Sequence, residues 1–197
     1  GLARLWLRST PQRAAIAVYS SRASAWLNRV DNQFAASSAE AEREFVQALG
    51  TLGYPCDFVS ADKIAKGGLS AYRVLVLPLA RALGDAEVQA IQSFASAGGC
   101  VIADVAPGAF NEHGVPRDTP PLADVFGVRY AKPSAAAAPA GALVELKFDG
   151  GKASADLTDI RADIAVEPAN AQAGGLSGMT PVWLLRNDKP ALFLNHA

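Results

Sequence analysis

Polar side chains follow three strand-like runs of the sequence, at the points where the runs end. In an open parallel sheet, ligands bind outside the carboxyl ends of the strands. Two hydroxyls, two guanidinium groups and one carboxylate lie at these ends and are the candidate ligand-binding residues: Ser20, Ser21, Arg22, Arg81 and Asp104. Such groups suit a small polar ligand. A serine or aspartate at a strand end is also a common turn former or helix cap, and we favour that structural role for Asp104.

A catalytic set built around a cysteine or a histidine is not predicted. Cys100 lies at the start of the fourth strand-like run, at the sheet edge opposite the candidate residues, and we expect a buried structural thiol. His113 lies in a turn-like segment, where an exposed loop residue is expected, and His196 is next to last in the chain. We therefore predict no catalytic residues.

Metal, phosphate and cofactor sites are not predicted either. Asp156, Asp159 and Asp163 lack the central glycine and terminal glutamate of a calcium loop. The glycine pairs at 67–68 and 98–99 precede strand-like runs, whereas a phosphate-binding loop follows a strand and opens a helix. Residues 20–24 do follow a strand and could hold an anion, but they contain no glycine.

The charge balance excludes two classes of partner. The 197 residues contain 18 Lys and Arg against 19 Asp and Glu, spread along the chain, so there is no basic patch for nucleic acid or an anionic membrane surface. Apolar runs such as Val74 to Ala80 are far shorter than the ~20 residues of a membrane span. We expect a soluble domain. Two cysteines outside any zinc or disulfide spacing favour a reducing compartment, hence the cytoplasm.

Four apolar runs of strand length alternate with helix-like segments. The runs resemble buried parallel strands and cover Ala14 to Tyr19, Cys56 to Val59, Tyr72 to Pro78 and Cys100 to Val105. A polar connection begins at Ser20, and Ser37 with Glu40 opens a helix through a capping-box spacing. Asp85 caps a further helix. The alternation predicts an α/β fold, a flavodoxin-like three-layer sandwich with a mainly parallel sheet.

The ends of the chain differ from this core. We expect residues 1–12 to be a linker from an upstream domain that is absent here, so that the chain is a piece of a larger protein. Residues 13–197 then form one domain, with a parallel α/β core at 13–128 and an alanine-rich crossover at 129–142. Strand-like runs in residues 143–197 are expected to extend an edge of the sheet with antiparallel strands.

An ordered set of segments resembles a known family. The segments are Ile16 to Ser20, Tyr72 to Pro78, Ser93 to Ala103 and Pro121 to Val128. Together they resemble the beta-galactosidase trimerisation domain, a class I glutamine amidotransferase-like module that follows the catalytic (β/α)8 barrel in a group of glycoside hydrolases. The resemblance implies that the catalytic carboxylates lie on the barrel and that this module serves in subunit packing.

The resemblance also defines what an active amidotransferase would need. Its nucleophile sits on a sharp elbow after the fourth strand, where a nearby histidine activates the thiol. Here that elbow falls at Asp104 to Gly108 and contains no Cys, Ser or Thr. The sequence therefore indicates a relative of these enzymes that has lost the nucleophile.

Two functional hypotheses follow. The first is a non-catalytic oligomerisation or architectural domain, whose partners are the catalytic barrel of the same parent chain and further copies in a homo-oligomer such as a trimer. The second is a small-molecule-binding or hydrolytic amidotransferase-like module. It requires Ser20, Arg22, Arg81 and Asp104 to converge around a crevice that residues 106–120 leave open.

Three tryptophans bear on the oligomerisation hypothesis. Trp6, Trp26 and Trp183 are interface candidates because aromatic residues are enriched at interfaces. A position in the core is the more common one for tryptophan.

Overall fold

The computed structural model describes residues 14–31, 37–104 and 106–130, and further along the chain the backbone of five strands between Leu143 and Asn195. Side chains are described up to Val128. The linker expected at residues 1–12 and nearly all of the alanine-rich crossover lie outside the described residues. The domain boundaries therefore stay predictions.

A four-stranded parallel sheet forms the centre of the fold. Its strands are β1 (Ile16–Tyr19), β2 (Cys56–Val59), β3 (Val74–Leu77) and β4 (Cys100–Ala103), in the order β2-β1-β3-β4. Ile16 pairs with both Cys56 and Val74, and Val74 pairs with Cys100, so all four strands begin at the same level. The predicted α/β fold with a mainly parallel sheet is confirmed.

Five helices accompany these strands in the described residues. They are α1 (Arg22–Asp31), α2 (Ser38–Thr51), α3 (Ala61–Ala65), α4 (Asp85–Ser96) and α5 (Ala123–Phe126). Helix α2 begins at the predicted capping box: Ser37 Oγ accepts from the Glu40 N–H, and the Glu40 carboxylate accepts from the Ser37 N–H. None of the described helices is long and apolar enough to cross a membrane.

Helix α1 occupies the segment that the sequence indicated as a polar connection. It starts three residues after the end of β1, and the residues it buries, Ser24 and Asn28, are polar. A helix is usually recognised in a sequence by an apolar stripe that faces the core. Because the inward face of α1 is polar, that signal is missing from the sequence.

The core lies between the sheet and the helices on its faces. Leu75 and Leu77 of β3 are fully buried in one cluster with Ala17 of β1 and Ile91 of α4. Burial of each Leu or Ile contributes about 1.5–3 kcal/mol relative to an exposed side chain. This packing fixes the carboxyl ends of β1, β3 and β4 relative to one another.

The C-terminal strands pair with one another rather than with the parallel sheet. Strand β5 (Val128–Tyr130) pairs antiparallel with β8 (Val166–Pro168). A second antiparallel sheet has the order β10-β9-β6-β7 and contains β6 (Leu143–Phe148), β7 (Gly151–Asp156), β9 (Met179–Leu184) and β10 (Pro190–Asn195). This arrangement differs from the expected extension of the parallel sheet, since closely spaced strands such as β6 and β7 pair locally as hairpins.

Candidate functional site

The turn after β3 holds a strained backbone at the carboxyl edge of the sheet. Leu79 is buried and has a φ of 41°, which costs a residue with a side chain about 1–2 kcal/mol. Its N–H donates to both carboxylate oxygens of Asp104, at 2.9 and 3.1 Å, and its carbonyl accepts from Asn28 Nδ2 at 3.4 Å. Asp104 therefore clamps the turn, in agreement with the structural role favoured above.

The Arg81 side chain is buried two residues further along. Its guanidinium donates to Asn28 Oδ1 at 3.0 Å and to Asp31 Oδ2 at 2.7 Å, and it lies 4.9 Å from the centre of the Phe110 ring. Only 4% of Arg81 is exposed. A buried charge requires such pairing, because its transfer from water is costly. Arg81 thus ties α1 to the loop after β3.

Two serines attach the start of α1 to the same loop. Ser21 Oγ accepts from the Ser24 N–H at 3.0 Å and so caps the helix. Ser24 Oγ accepts from the Ala82 N–H at 2.9 Å and donates to the Ala82 carbonyl at 3.1 Å. Ser21 Oγ also lies 3.3 Å from that carbonyl. The hydroxyls therefore link backbone segments that are distant in sequence.

Residues 106–120 cover this loop. Backbone hydrogen bonds run from Gly108 to Ala80, from Phe110 to Arg81 and from Leu83 to Phe110, at 2.9–3.0 Å. Arg117 then fastens the covering segment, since its Nη2 donates to the Leu83 carbonyl at 2.9 Å and to Asp85 at 2.6 Å. The polar side chains beneath this segment are separated from solvent.

The crevice hypothesis required four side chains to converge around an open pocket. Ser20 and Arg22 are exposed, whereas Arg81 is buried beneath the segment that contains Phe110. Asp104 holds the Leu79 turn. The geometry does not support a crevice built from these residues. A ligand role for Ser20, Ser21, Arg22, Arg81 and Asp104 stays a prediction.

The elbow after β4 retains an unusual backbone without a nucleophile. Ala106 has a φ of 28°, in the region that side chains avoid. Its position falls within the segment Asp104 to Gly108, where an active amidotransferase would carry a reactive thiol. The methyl side chain of Ala106 contains no atom that could act as a nucleophile.

The cysteine and histidine expectations have different outcomes. Cys100 is exposed, so the expectation of a buried thiol is wrong. The reason is its position as the first residue of β4, which is an edge strand. The His113 side chain is 78% exposed, with Nε2 3.6 Å from Glu112, which confirms an exposed loop residue. Within the described parts of the chain, no three potential metal ligands come together.

A buried tyrosine–glutamate pair was not foreseen from the sequence. The Tyr19 hydroxyl donates to the Glu87 carboxylate, and the same carboxylate accepts from the Gly84 N–H at 2.8 Å. Burial, and then the hydrogen bond to Glu87, raises the pKa of Tyr19, so its hydroxyl stays protonated. The cap of α4 therefore lies at Gly84, and the prediction that Asp85 caps this helix is wrong, because Asp85 is its first residue. A glutamate three residues after the cap was the one available signal.

Two further groups near the sheet have shifted pKa values. Burial raises the pKa of the Glu42 carboxyl, against a lowering effect from its hydrogen bond with Ser20. Burial, followed by the nearby charge of Asp57, raises the pKa of the Cys56 thiol, which disfavours the reactive thiolate. Neither shift creates a general base or a nucleophile at the elbow.

Trp26 lies on the surface, on helix α1. Its side chain is 62% exposed, so the usual core position does not apply to it. Trp6 and Trp183 lie outside the residues whose side chains are described.

Comparison with known families gives one match. The sequence matches the family model described as beta-galactosidase trimerisation domain over residues 13–182. The matched range contains all four segments on which the resemblance was based. None of the curated proteins matches the sequence.

Solved structures share the fold at low sequence identity. The beta-galactosidase from the psychrophilic Marinomonas ef1 has a TM-score of 0.74 at 16% identity, over 96% of this chain and 26% of that chain. The beta-galactosidase from Bacillus circulans sp. alkalophilus gives 0.73 at 17% identity, over 92% and 26%. A catalytic mutant of a GH42 beta-galactosidase from G. stearothermophilus gives 0.69 at 17% identity, over 92% and 25%. The chain spans about a quarter of the length of these structures.

Proposed function

This chain belongs to the beta-galactosidase trimerisation domain family, and we propose on that premise that it is a non-catalytic oligomerisation domain of a protein related to GH42 beta-galactosidases. Its partners are further copies of the same polypeptide, arranged as a trimer. The reaction of the parent protein, cleavage of a galactoside, belongs to a catalytic barrel outside residues 13–197. The reducing cytoplasm is the proposed compartment.

The observation that carries this proposal is the use of polar groups at the carboxyl edge of the sheet. Arg81 is paired with Asn28 and Asp31, and Asp104 holds the N–H of Leu79. These contacts stabilise the fold at the place where amidotransferases carry out chemistry. With Ala106 at the elbow, they support an architectural role over a hydrolytic one.

The test is the molar mass of the native protein that carries this chain, measured by light scattering. We expect three times the mass of one polypeptide, and a fall to the mass of one polypeptide when residues 13–197 are deleted. A single-copy mass both with and without these residues would contradict the proposal.

A second assay tests whether the domain itself is catalytic. The purified 197-residue chain is incubated with nitrophenyl galactoside, and no hydrolysis above the buffer blank is expected. Turnover that rises in proportion to the concentration of the chain would show that the domain itself is catalytic.

A further inference from the structure

Residues 79–82, the loop after β3, lie between helix α1 and the segment that follows β4, and they are bonded to both. On the side of β4, the Leu79 N–H donates to both carboxylate oxygens of Asp104, at 2.9 and 3.1 Å. Backbone hydrogen bonds of 2.9–3.0 Å hold the loop further along, from Gly108 and Phe110 to the two carbonyls that follow Leu79. The segment after β4 therefore fixes one side of this loop.

The other side of the loop holds helix α1. Hydrogen bonds join the loop to side chains of α1 and to the residue before it. They include the two bonds between Ala82 and the Ser24 hydroxyl, and the bond from Asn28 to the Leu79 carbonyl. Asn28 also donates to Ser38 of α2. A helix of ten residues is marginal in water by itself, so α1 depends on tertiary contacts of this kind.

Leu79 connects the two sides through a backbone conformation that it would not adopt alone. Its φ of 41° lies in the left-handed region, where a residue with a side chain is disfavoured by about tenfold in population. Such a conformation persists only where the surroundings hold it. Asp104 holds the N–H of Leu79, and Asn28 donates to its carbonyl. The elbow after β4 and helix α1 thus act on the same residue.

The parallel sheet does not depend on α1. The buried apolar cluster that joins the sheet to α4 includes Leu75, Leu77 and Ile91, and no residue of α1 belongs to it. Elements that contribute little to the main core can open locally while the core stays folded. Helix α1 is therefore a separate unit of stability, attached to the core through the loop 79–82.

We propose that residues 79–82 form a latch that couples the elbow after β4 to helix α1. In the closed state Asp104 keeps Leu79 left-handed, and the loop holds α1. When the hydrogen bonds between Leu79 and Asp104 break, Leu79 turns to an ordinary negative φ and the residues after it change direction. Their bonds to α1 are then lost, and α1 opens as one unit while the sheet stays folded. The latch is independent of the proposed function, because it concerns the fold of one copy.

The latch determines how one part of the surface is presented. Helix α1 carries Trp26 and Val30, whose side chains are 62% and 82% exposed. In the closed state both side chains are displayed on an ordered helix, and in the open state they are not. A change at the elbow after β4 is thereby transmitted to the outer surface of the domain.

Hydrogen exchange of backbone amides, measured in the native protein that carries this chain, tests the latch. Asp104→Ala removes the acceptor of the Leu79 N–H, whereas Asp104→Asn removes the same charge and keeps one accepting oxygen. We expect Asp104→Ala to speed exchange in residues 22–31 by about tenfold or more, because hydrogen bonds to a charged acceptor contribute at least that factor. Asp104→Asn should speed it less, and exchange in β1 and β3 should change little. Asp118→Ala, at an exposed carboxylate, is the control.

The opposite perturbation gives a second test, because coupling between two sites is reciprocal. Ser24→Ala removes the hydroxyl that bonds both backbone groups of Ala82 and so loosens α1 from the loop. We expect the Leu79 amide to exchange severalfold faster in this variant. Ser93→Ala, at an exposed position of α4, should leave the Leu79 amide unchanged.

Three results would overturn the latch. Wild-type exchange in α1 of the Asp104→Ala variant would show that α1 does not depend on the elbow. Exchange that rises equally in α1, β1 and β3 would show that the whole domain opens at once. Equal increases for Asp104→Asn and Asp104→Ala would assign the effect to the charge of Asp104 instead of its bond to Leu79. None of these results bears on the molar mass of the native protein, so the oligomerisation role would stand.

Discussion

Arg81 lies at the carboxyl edge of the sheet and is paired with side chains of the same chain. Its guanidinium bridges the loop after β3 to Asn28 and Asp31 of α1, beneath the Phe110 ring. The side chains of Arg81 and Asp31 are 5% and 23% exposed, so this pair is largely screened from solvent. Asp104 fixes the strained Leu79 turn beside it. Polar residues at this edge thus stabilise the fold.

Arg81→Ala is expected to destabilise the chain by about 3–5 kcal/mol, because Asp31 would be left without its charged partner in a mostly buried position. The free energy of unfolding in urea measures the effect. Arg73→Ala, at an exposed arginine, is the control and should change stability by less than about 0.5 kcal/mol. Equal values for the two variants would contradict the role given to Arg81.

Tyr19→Phe removes the hydroxyl that donates to the buried Glu87 carboxylate. The unsatisfied carboxylate should cost about 1–3 kcal/mol in the free energy of unfolding. Tyr54→Phe removes the same atom from a side chain that is 57% exposed and should be nearly neutral. A neutral Tyr19→Phe variant would show that the pair adds no stability.

Glu42 gives a pH-dependent prediction. Its pKa is higher in the folded chain than in the unfolded chain because of burial, so its stabilising effect is complete below the unfolded pKa and is lost as pH rises through the folded pKa. Glu42→Gln should therefore raise the urea midpoint at neutral pH, by an amount that shrinks as the pH falls through the folded pKa and vanishes below the unfolded pKa of about 4.3. Glu44→Gln, at an exposed position of α2, is the matched control. A gain that persists unchanged in acid would contradict this cause.

The helices show which parts of the structure the sequence could predict. Helix α2 was predictable because Ser37 and Glu40 carry its start signal in their own side chains. Helix α1 was not, because the residues it buries are polar and make hydrogen bonds to Leu79, Arg81 and Ala82, far away in sequence.

The same cause limited the prediction of the candidate site. Arg81 and Asp104 were correctly placed at the carboxyl edge, since strand ends are readable from the apolar pattern. Their contacts were not readable, because Asn28 and Asp31 lie on the unpredicted helix. The sequence therefore predicted which residues lie at the strand ends. It could not predict which residues they contact, because those contacts depend on the fold.

The capping box of α2 gives a prediction at the scale of one element. Ser37→Ala removes the oxygen that accepts from the Glu40 N–H and should destabilise the chain by about 0.5–2 kcal/mol. Ser93→Ala, at an exposed position inside α4, lacks a capping role and is the control. Thermal unfolding of both variants measures the difference, and a Ser37→Ala variant as stable as the control would exclude a contribution from the cap.

In the described residues, the carboxyl edge of the sheet is buried, whereas two regions of the surface expose apolar side chains. The carboxyl edge of the sheet, where the fold could carry chemistry, is covered by residues 106–120 and filled with paired side chains. Exposed aromatic side chains lie instead on α1, at Trp26, and in and just before β2, at Phe58 and Tyr54. This distribution is the one expected of the non-catalytic oligomerisation domain proposed above.

Sedimentation equilibrium of the native protein that carries this chain, across a wide range of concentrations, tests the central claim most directly. The account predicts a single species with three times the mass of one polypeptide, which dissociates when residues 13–197 are deleted. A protein that keeps the mass of one polypeptide at every concentration would contradict it.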